Sequence, residues 1–210
     1  MNKIRNIVFD LGEVIINVDP SAVQEHMKAK GVTNLDELHL KLLNDNIYHD
    51  LETAKISPEE FRTAIKNIVD AEISDQEIDD AWNAMLLDIP PERVRFMTRL
   101  KSKYKLYLLS NTNAIHFAYY DKYFRDTYDY PSLDSFFTRA WYSYLMGVRK
   151  PDPEIFRMIL AEGQLNPAET VFIDDLKENT EAAASTGIIP CHLPPGKEIM
   201  DLFDKKLELK

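Results

Sequence analysis

The sequence predicts an α/β fold: a doubly wound parallel sheet with an all-helical cap inserted after its first strand. Two observations predict the sheet. Ile7-Val8-Phe9, Leu106-Tyr107-Leu108-Leu109 and Val171-Phe172-Ile173 are short, wholly apolar runs, each stopping at a small or acidic polar residue: Asp10, Ser110 and Asp174. Such runs suit strands buried on both faces of a parallel sheet, and their wide spacing leaves room for helical crossovers. A third observation predicts the cap, since residues 19–89 carry helical stripes and no strand pattern.

The elements follow in order. Asp19-Pro20 opens a helix, and residues 34–43 supply another. Ser57-Pro58-Glu59-Glu60 joins a capping box to proline at the first helical position, ahead of Phe61, Ile65, Ile68 and Val69. Ser74 with Glu77 repeats the box before Ile78, Trp82, Met85 and Leu86. Pro91 starts a helix with Val94, Met97 and Leu100 on one face, leading into the Leu106 strand. Weaker strands are expected at 139–142 and 188–192. Asp152-Pro153 reads as an N-cap followed by proline, with Ile155, Phe156, Ile159 and Leu160 inward. A last helix begins near Lys177 and should end at Gly187. The tyrosine-rich stretch 119–130 reads as a structured aromatic surface. The expected division is a core of residues 1–18 and 90–210 with a cap of residues 19–89.

Composition narrows the partners. The 210 residues are 45% hydrophobic and 29% charged, with a formal net charge of -10 and pI near 5.0. That balance belongs to a globular chain and argues against a nucleic-acid or anionic-membrane surface. The single cysteine, Cys191, forms no internal disulfide and is compatible with a cytoplasmic setting. Lys3, Arg5, Asp10 and Glu13 break the first apolar stretch, so it reads as neither signal peptide nor membrane span.

Ligands of open parallel sheets bind outside the carboxyl ends of the strands, where Asp10, Ser110 and Asp174 all fall. Any one of them alone reads as strand-end capping or a turn. Together, and with Asp175 following Asp174, they put three carboxylates at one edge, where they repel unless they share protons or hold a cation. Hard oxygen ligands in this number suit Mg²⁺, which keeps waters and accepts phosphate oxygens. An acidic shell repels a phosphorylated substrate, so the site needs local positive charge.

Four segments then carry a resemblance. Val8-Phe9-Asp10-Leu11-Gly12-Glu13-Val14, Leu109-Ser110-Asn111-Thr112-Asn113, Gly147-Val148-Arg149-Lys150-Pro151-Asp152-Pro153 and Phe172-Ile173-Asp174-Asp175 with Asn179 resemble, in order and separation, the four motifs of the haloacid-dehalogenase-like hydrolase superfamily. The helical insert lies where that superfamily carries its C1 cap, over a Rossmann-like core. The resemblance implies a magnesium-dependent phosphatase with Asp10 as nucleophile and metal ligand. Ser110 and the backbone around Asn111 would hold the phosphoryl group. Lys150 would offset charge on phosphate and nucleophile. Asp175 would be the main acidic ligand of the fourth motif, with Asp174 close by or acting through water.

One position departs from the pattern. A second aspartate, usual two residues after the nucleophile, is here Gly12. Its backbone carbonyl can still meet the metal, but general acid–base help, typically worth about 10²–10⁴ in rate, need not survive. Glu13 is the candidate substitute, although in an extended segment its side chain points opposite to residue 12. In the cap, Glu52-Thr53-Ala54-Lys55-Ile56-Ser57 resembles a turn that commonly reads Glu-x-Gly-x-Ile-Ser, with Ala54 for glycine. Glu52, Lys55, Tyr48, His49 and His116 are further candidates for facing the cleft. Similar Asp-Leu-Gly openings occur in sugar-phosphate phosphatases of the superfamily, so a small phosphorylated metabolite, sugar phosphate first, is the expected substrate. The competing readings are a phosphate-binding protein with little turnover and a haloacid dehalogenase.

Overall fold

The computed structural model describes residues 3–210. Five parallel strands, β1 (Asn6–Phe9), β2 (Lys105–Ser110), β3 (Arg139–Tyr142), β4 (Thr170–Asp174) and β5 (Ile189–His192), lie in the order β3-β2-β1-β4-β5. The expected strands, including the two weaker ones, are all present. Because side chains alternate along a strand, the apolar runs feed two cores. Ile7, Phe9, Leu106, Leu108, Val171 and Ile173 enter one, and Val8, Tyr107, Leu109 and Phe172 the other.

Helices α6 (Pro91–Leu100) and α7 (Ala114–Tyr128) cover the first face through Val94, Met97, Leu100, Tyr120 and Phe124. The second face takes α9 (Pro153–Gly163) and α10 (Lys177–Ala184), through Ile155, Phe156, Ile159 and Ala183. Each large apolar side chain buried this way contributes about 1.5–3 kcal/mol. The short α8 (Ser143–Met146) follows β3. Asp152 caps α9 by accepting the Glu154 amide, with Pro153 at the first position. Helix α10 stops at Ala184, before Gly187; a turn through Ser185 and Thr186 intervenes, and Gly187 then supplies the positive φ of 89°.

The 119–130 stretch is structured but only partly surface. Most of it is the second half of α7, a helix whose apolar stripe hid among tyrosines; Tyr120 and Phe124 are core, while Tyr119 is exposed.

Between β1 and α6 the chain forms α1 (Ser21–Ala29), α2 (Leu35–Asn44), α3 (Ile47–Glu52), α4 (Pro58–Lys66) and α5 (Asp75–Asn83). Both predicted capping boxes form, Ser57 with Glu60 and Ser74 with Glu77. Met27, Leu38, Leu42, Phe61, Ile65 and Ile78 make a separate apolar core, which Ile115 of α7 joins. The two connections to the sheet run side by side: Val18 bridges Leu86, and the Asn17 and Leu87 amides donate to Asp88 and Asn17 carbonyls at 2.9 Å. Among the described residues, no helix is long and apolar enough to cross a membrane.

Candidate active site

The sheet brings the predicted residues to one edge. Phe9 stands opposite Ile173 and Leu108, so Asp10 and Asp174 project level from neighbouring strands, with Ser110 ending the strand on the other side. Asp10, Asp174 and Asp175 each offer a carboxylate oxygen within 4.8 Å of the others.

Lys150 reaches between them from the loop after α8. Its ammonium donates to Asp10 Oδ1 at 2.6 Å and Asp174 Oδ2 at 2.7 Å, and only 1% of the residue is exposed. Burial alone would lower its pKa, but the Asp10 and Asp174 charges outweigh it and hold the group above its ordinary value. Asn111 fixes the lysine's backbone: its Nδ2 donates to the Lys150 carbonyl and its Oδ1 accepts the Lys150 amide, both at 2.9 Å. That pairing occupies the Asn111 side chain and leaves its backbone to a ligand. The Ser110 hydroxyl makes only a long 3.4 Å contact to the Asn111 carbonyl and remains available. Thr112, next along the loop, exchanges hydrogen bonds with buried Ser143 at 2.9 and 3.0 Å.

The three carboxylates differ. Asp174 is fully buried and saturated: besides Lys150, Asn179 Nδ2 donates to both oxygens at 3.0 and 3.1 Å and the Leu176 amide to Oδ1 at 2.8 Å. Lys150 takes only Oδ1 of Asp10. Burial raises the Asp10 pKa to about 7; Lys150 opposes the rise and the Asp174 charge adds to it. Asp175 is half-buried, and its pKa is raised by burial, then by Asp174. His192 Nε2 lies 2.9 Å from the Asp175 carbonyl and holds that turn.

A divalent cation fits this set. Asp10 and Asp175 present carboxylate oxygens that Lys150 does not bond, and a cation relieves their mutual repulsion. The Gly12 carbonyl, which accepts the Val14 amide at 2.6 Å, has a second lone pair. So few protein oxygens leave positions for water and substrate, as Mg²⁺ requires.

Glu13 breaks the expectation of an extended segment. Residues 13–15 form a turn with Glu13 at φ 54°, and its Oε1 accepts the Val18 amide at 2.6 Å. One oxygen of the candidate acid–base substitute is therefore committed to the chain entering the cap.

Two contacts between cap and core involve residues expected to face the cleft. Glu52, at the end of α3, lies 2.8 Å from Arg149, without hydrogen-bond alignment, so the pair is Coulombic. Burial raises the Glu52 pKa, while Arg149, Lys150 and His49 oppose the rise. Secondly, Trp82 is stacked between Tyr48 (centroids 5.3 Å, 7°) and His116 (4.9 Å, 14°), and His116 Nδ1 lies 3.0 Å from Asn83 Oδ1. His116 is thus a packing residue of the seam, its ring kept neutral by burial with a pKa of about 3. His49, half-buried, lies against Asp50, and exposed Lys55 pairs with the same aspartate. An apolar cavity of about 440 Å³ inside the cap includes Tyr48, Glu52 and Trp82 in its walls but none of the carboxylates at the sheet edge.

Arg149 and Asn179 both stand in the motif segments, but the sequence alone gives neither of them a role of its own. Ser143 carried no signal, since an isolated serine after a weak strand is indistinguishable from any loop serine.

Fold and site together define a capped α/β enzyme with a lysine-bridged carboxylate centre. The chain belongs to the haloacid dehalogenase-like hydrolase family, whose model matches residues 4–187. It is similar to the D-ribitol-5-phosphate phosphatase of Bacteroides thetaiotaomicron, with 31% identity over 188 residues covering 88% of this chain and 89% of that protein. Among solved structures, a HAD family enzyme from the same organism, in complex with magnesium and inorganic phosphate, superposes with a TM-score of 0.87 at 36% identity, covering 96% of this chain and all of that one. A predicted HAD-like hydrolase from Porphyromonas gingivalis gives 0.81 at 33%, covering 95% and 96%.

Proposed function

We propose that this hydrolase is a magnesium-dependent phosphatase of small phosphate monoesters, sugar or polyol phosphates first, acting through an aspartyl-phosphate on Asp10. The observation that carries the reading is the buried Lys150 ammonium, bonded to Asp10 and Asp174 beside an open Asp175. The ribitol-phosphate phosphatase among the relatives supports the substrate class, and the magnesium and phosphate held by the solved relative support the cofactor.

The Asp10 carboxylate attacks phosphorus in line with the leaving oxygen. The P–O ester bond breaks, and the departing alkoxide takes a proton from water, since Gly12 offers no side chain. Lys150, the Ser110 hydroxyl and the backbone around Asn111 receive the equatorial oxygens, whose neutralisation is the main catalytic task. Water then attacks the aspartyl-phosphate, releasing phosphate and restoring Asp10. Asp10, the Gly12 carbonyl and Asp175 would hold magnesium, which would supply charge neutralisation for the phosphoryl group. Asp174 acts by holding Lys150.

A magnesium-dependent screen of phosphorylated metabolites, run beside Asp10→Asn, tests the reading. Phosphate release from a sugar or polyol phosphate, lost in Asp10→Asn without unfolding, is the expected result. Full turnover in that variant overturns it. The second reading, a phosphate binder with little turnover, draws on Gly12 and on the Glu13 oxygen already committed to Val18. It predicts phosphate binding without release, and activity created by Gly12→Asp. Halide release from a 2-haloacid without magnesium would instead identify a dehalogenase.

A further inference from the structure

Glu13 occupies an unusual place. Its backbone is left-handed, a conformation that glycine adopts freely, and the turn is closed by the Glu13 amide on the Ile16 carbonyl at 2.8 Å and the Ile15 and Ile16 amides on Leu11 at 2.9 Å. The side chain then reaches past the turn to the Val18 amide at 2.6 Å, a length typical of a charge-assisted bond. Val18 belongs to the first of the paired connections that carry the cap, and it bridges Leu86 of the second. On its other side Glu13 shares a polar cavity of about 320 Å³ with Asp175, Arg93, Lys197 and Glu198. Arg93 is held there by Glu198 at 2.7 and 2.9 Å, so it does not neutralise Glu13.

We infer that Glu13 is a positioning residue that ties the metal-binding loop to the cap connection, so that divalent-cation binding and the order of that connection are linked. The inference rests on the magnesium site proposed above. Glu13 directly follows Gly12, whose carbonyl is a proposed ligand, and its charge adds to the negative potential at Asp175. A cation there compensates the Glu13 charge and stiffens the loop; the Val18 bond passes that order to the connection. By linkage, a connection ordered through Glu13 binds the cation more tightly.

The test combines hydrogen exchange at the Val18 amide, with and without magnesium, and calorimetric magnesium titration. It compares the wild-type chain with Glu13→Gln, which keeps an acceptor oxygen, and Glu13→Gly, which suits the left-handed backbone and should fold. In wild type, magnesium should increase Val18 protection. Glu13→Gly should exchange at Val18 about tenfold faster, the order expected for losing a charged hydrogen bond, and lose the magnesium response. Glu13→Gln should keep most of the protection but bind magnesium several-fold more weakly. Val18 protection and its magnesium response unchanged in Glu13→Gly would overturn the inference while leaving the phosphatase reading intact. A wild-type chain that binds no magnesium would overturn both.

Discussion

Lys150 donates to Asp10 from 140 residues away in sequence, across 2.6 Å, in a space almost closed to water. Removing the lysine leaves the Asp10 and Asp174 carboxylates facing each other without their cation, which costs about 3–5 kcal/mol. Lys150→Met should therefore lose both turnover and stability, with urea unfolding showing a deficit of about that size. A variant inactive yet as stable as wild type would show that the two carboxylates share a proton instead of relying on the lysine.

Metal-free Asp10 yields a pH prediction. Its pKa is raised to about 7 in the fold by burial, against an ordinary value of 3.8. Folding thus favours the protonated form: the penalty is absent below pH 3.8, grows as pH rises, and is complete above about 7. In EDTA at pH 8, Asp10→Asn should be more stable than wild type. The gap should narrow at pH 5 and close when magnesium is added. Thermal melts of both proteins under the four conditions check this; equal stability at pH 8 would count against it.

His116 titrates in the opposite sense. The buried ring has a pKa of about 3 against 6.5 unfolded, so the unfolded chain takes up a proton that the folded one refuses. Its contribution is whole above pH 6.5 and falls by about 1.4 kcal/mol per pH unit on going down towards 3. His116→Gln, which cannot charge, should be less stable at pH 7.5, losing the stack on Trp82, but show a flatter decline to pH 5 in denaturant titrations. Parallel declines would place the acid sensitivity elsewhere.

Ala54 sits at φ 52°, in the cap turn where the resembling pattern carries glycine. Left-handed backbone costs a residue with a Cβ roughly 1–2 kcal/mol, offset in part by the greater freedom of an unfolded glycine. Ala54→Gly should raise Tm by about 2–4 °C with kcat/KM little changed. A lowered Tm would mean that the methyl group's packing outweighs the strain.

Much of the fold was legible because buried parallel strands are uniformly apolar and end abruptly at Asp10, Ser110 and Asp174, and because capping boxes at Ser57 and Ser74 mark helix starts locally. Helix α7 was not legible, since tyrosine is ambiguous between core and surface and its hydroxyls blur the stripe. Nor was the commitment of Asn111: its side chain is used by Lys150, 39 residues away, and nothing near Asn111 announces that partner. Arg149 was quoted as part of a motif, but its pairing with Glu52 depends on where the cap lands.

The one-dimensional pattern determined which strands exist, where each ends, and that three carboxylates and a lysine accompany those ends, because alternation, caps and chain breaks act over a few residues. Tertiary structure decided which carboxylate is free and which is saturated, that Glu13 turns back to the cap connection, and that His116 is packed against Trp82. Those outcomes depend on hydrogen-bond partners and burial supplied by distant segments, and local sequence has no means of encoding a neighbour that arrives only when the sheet closes.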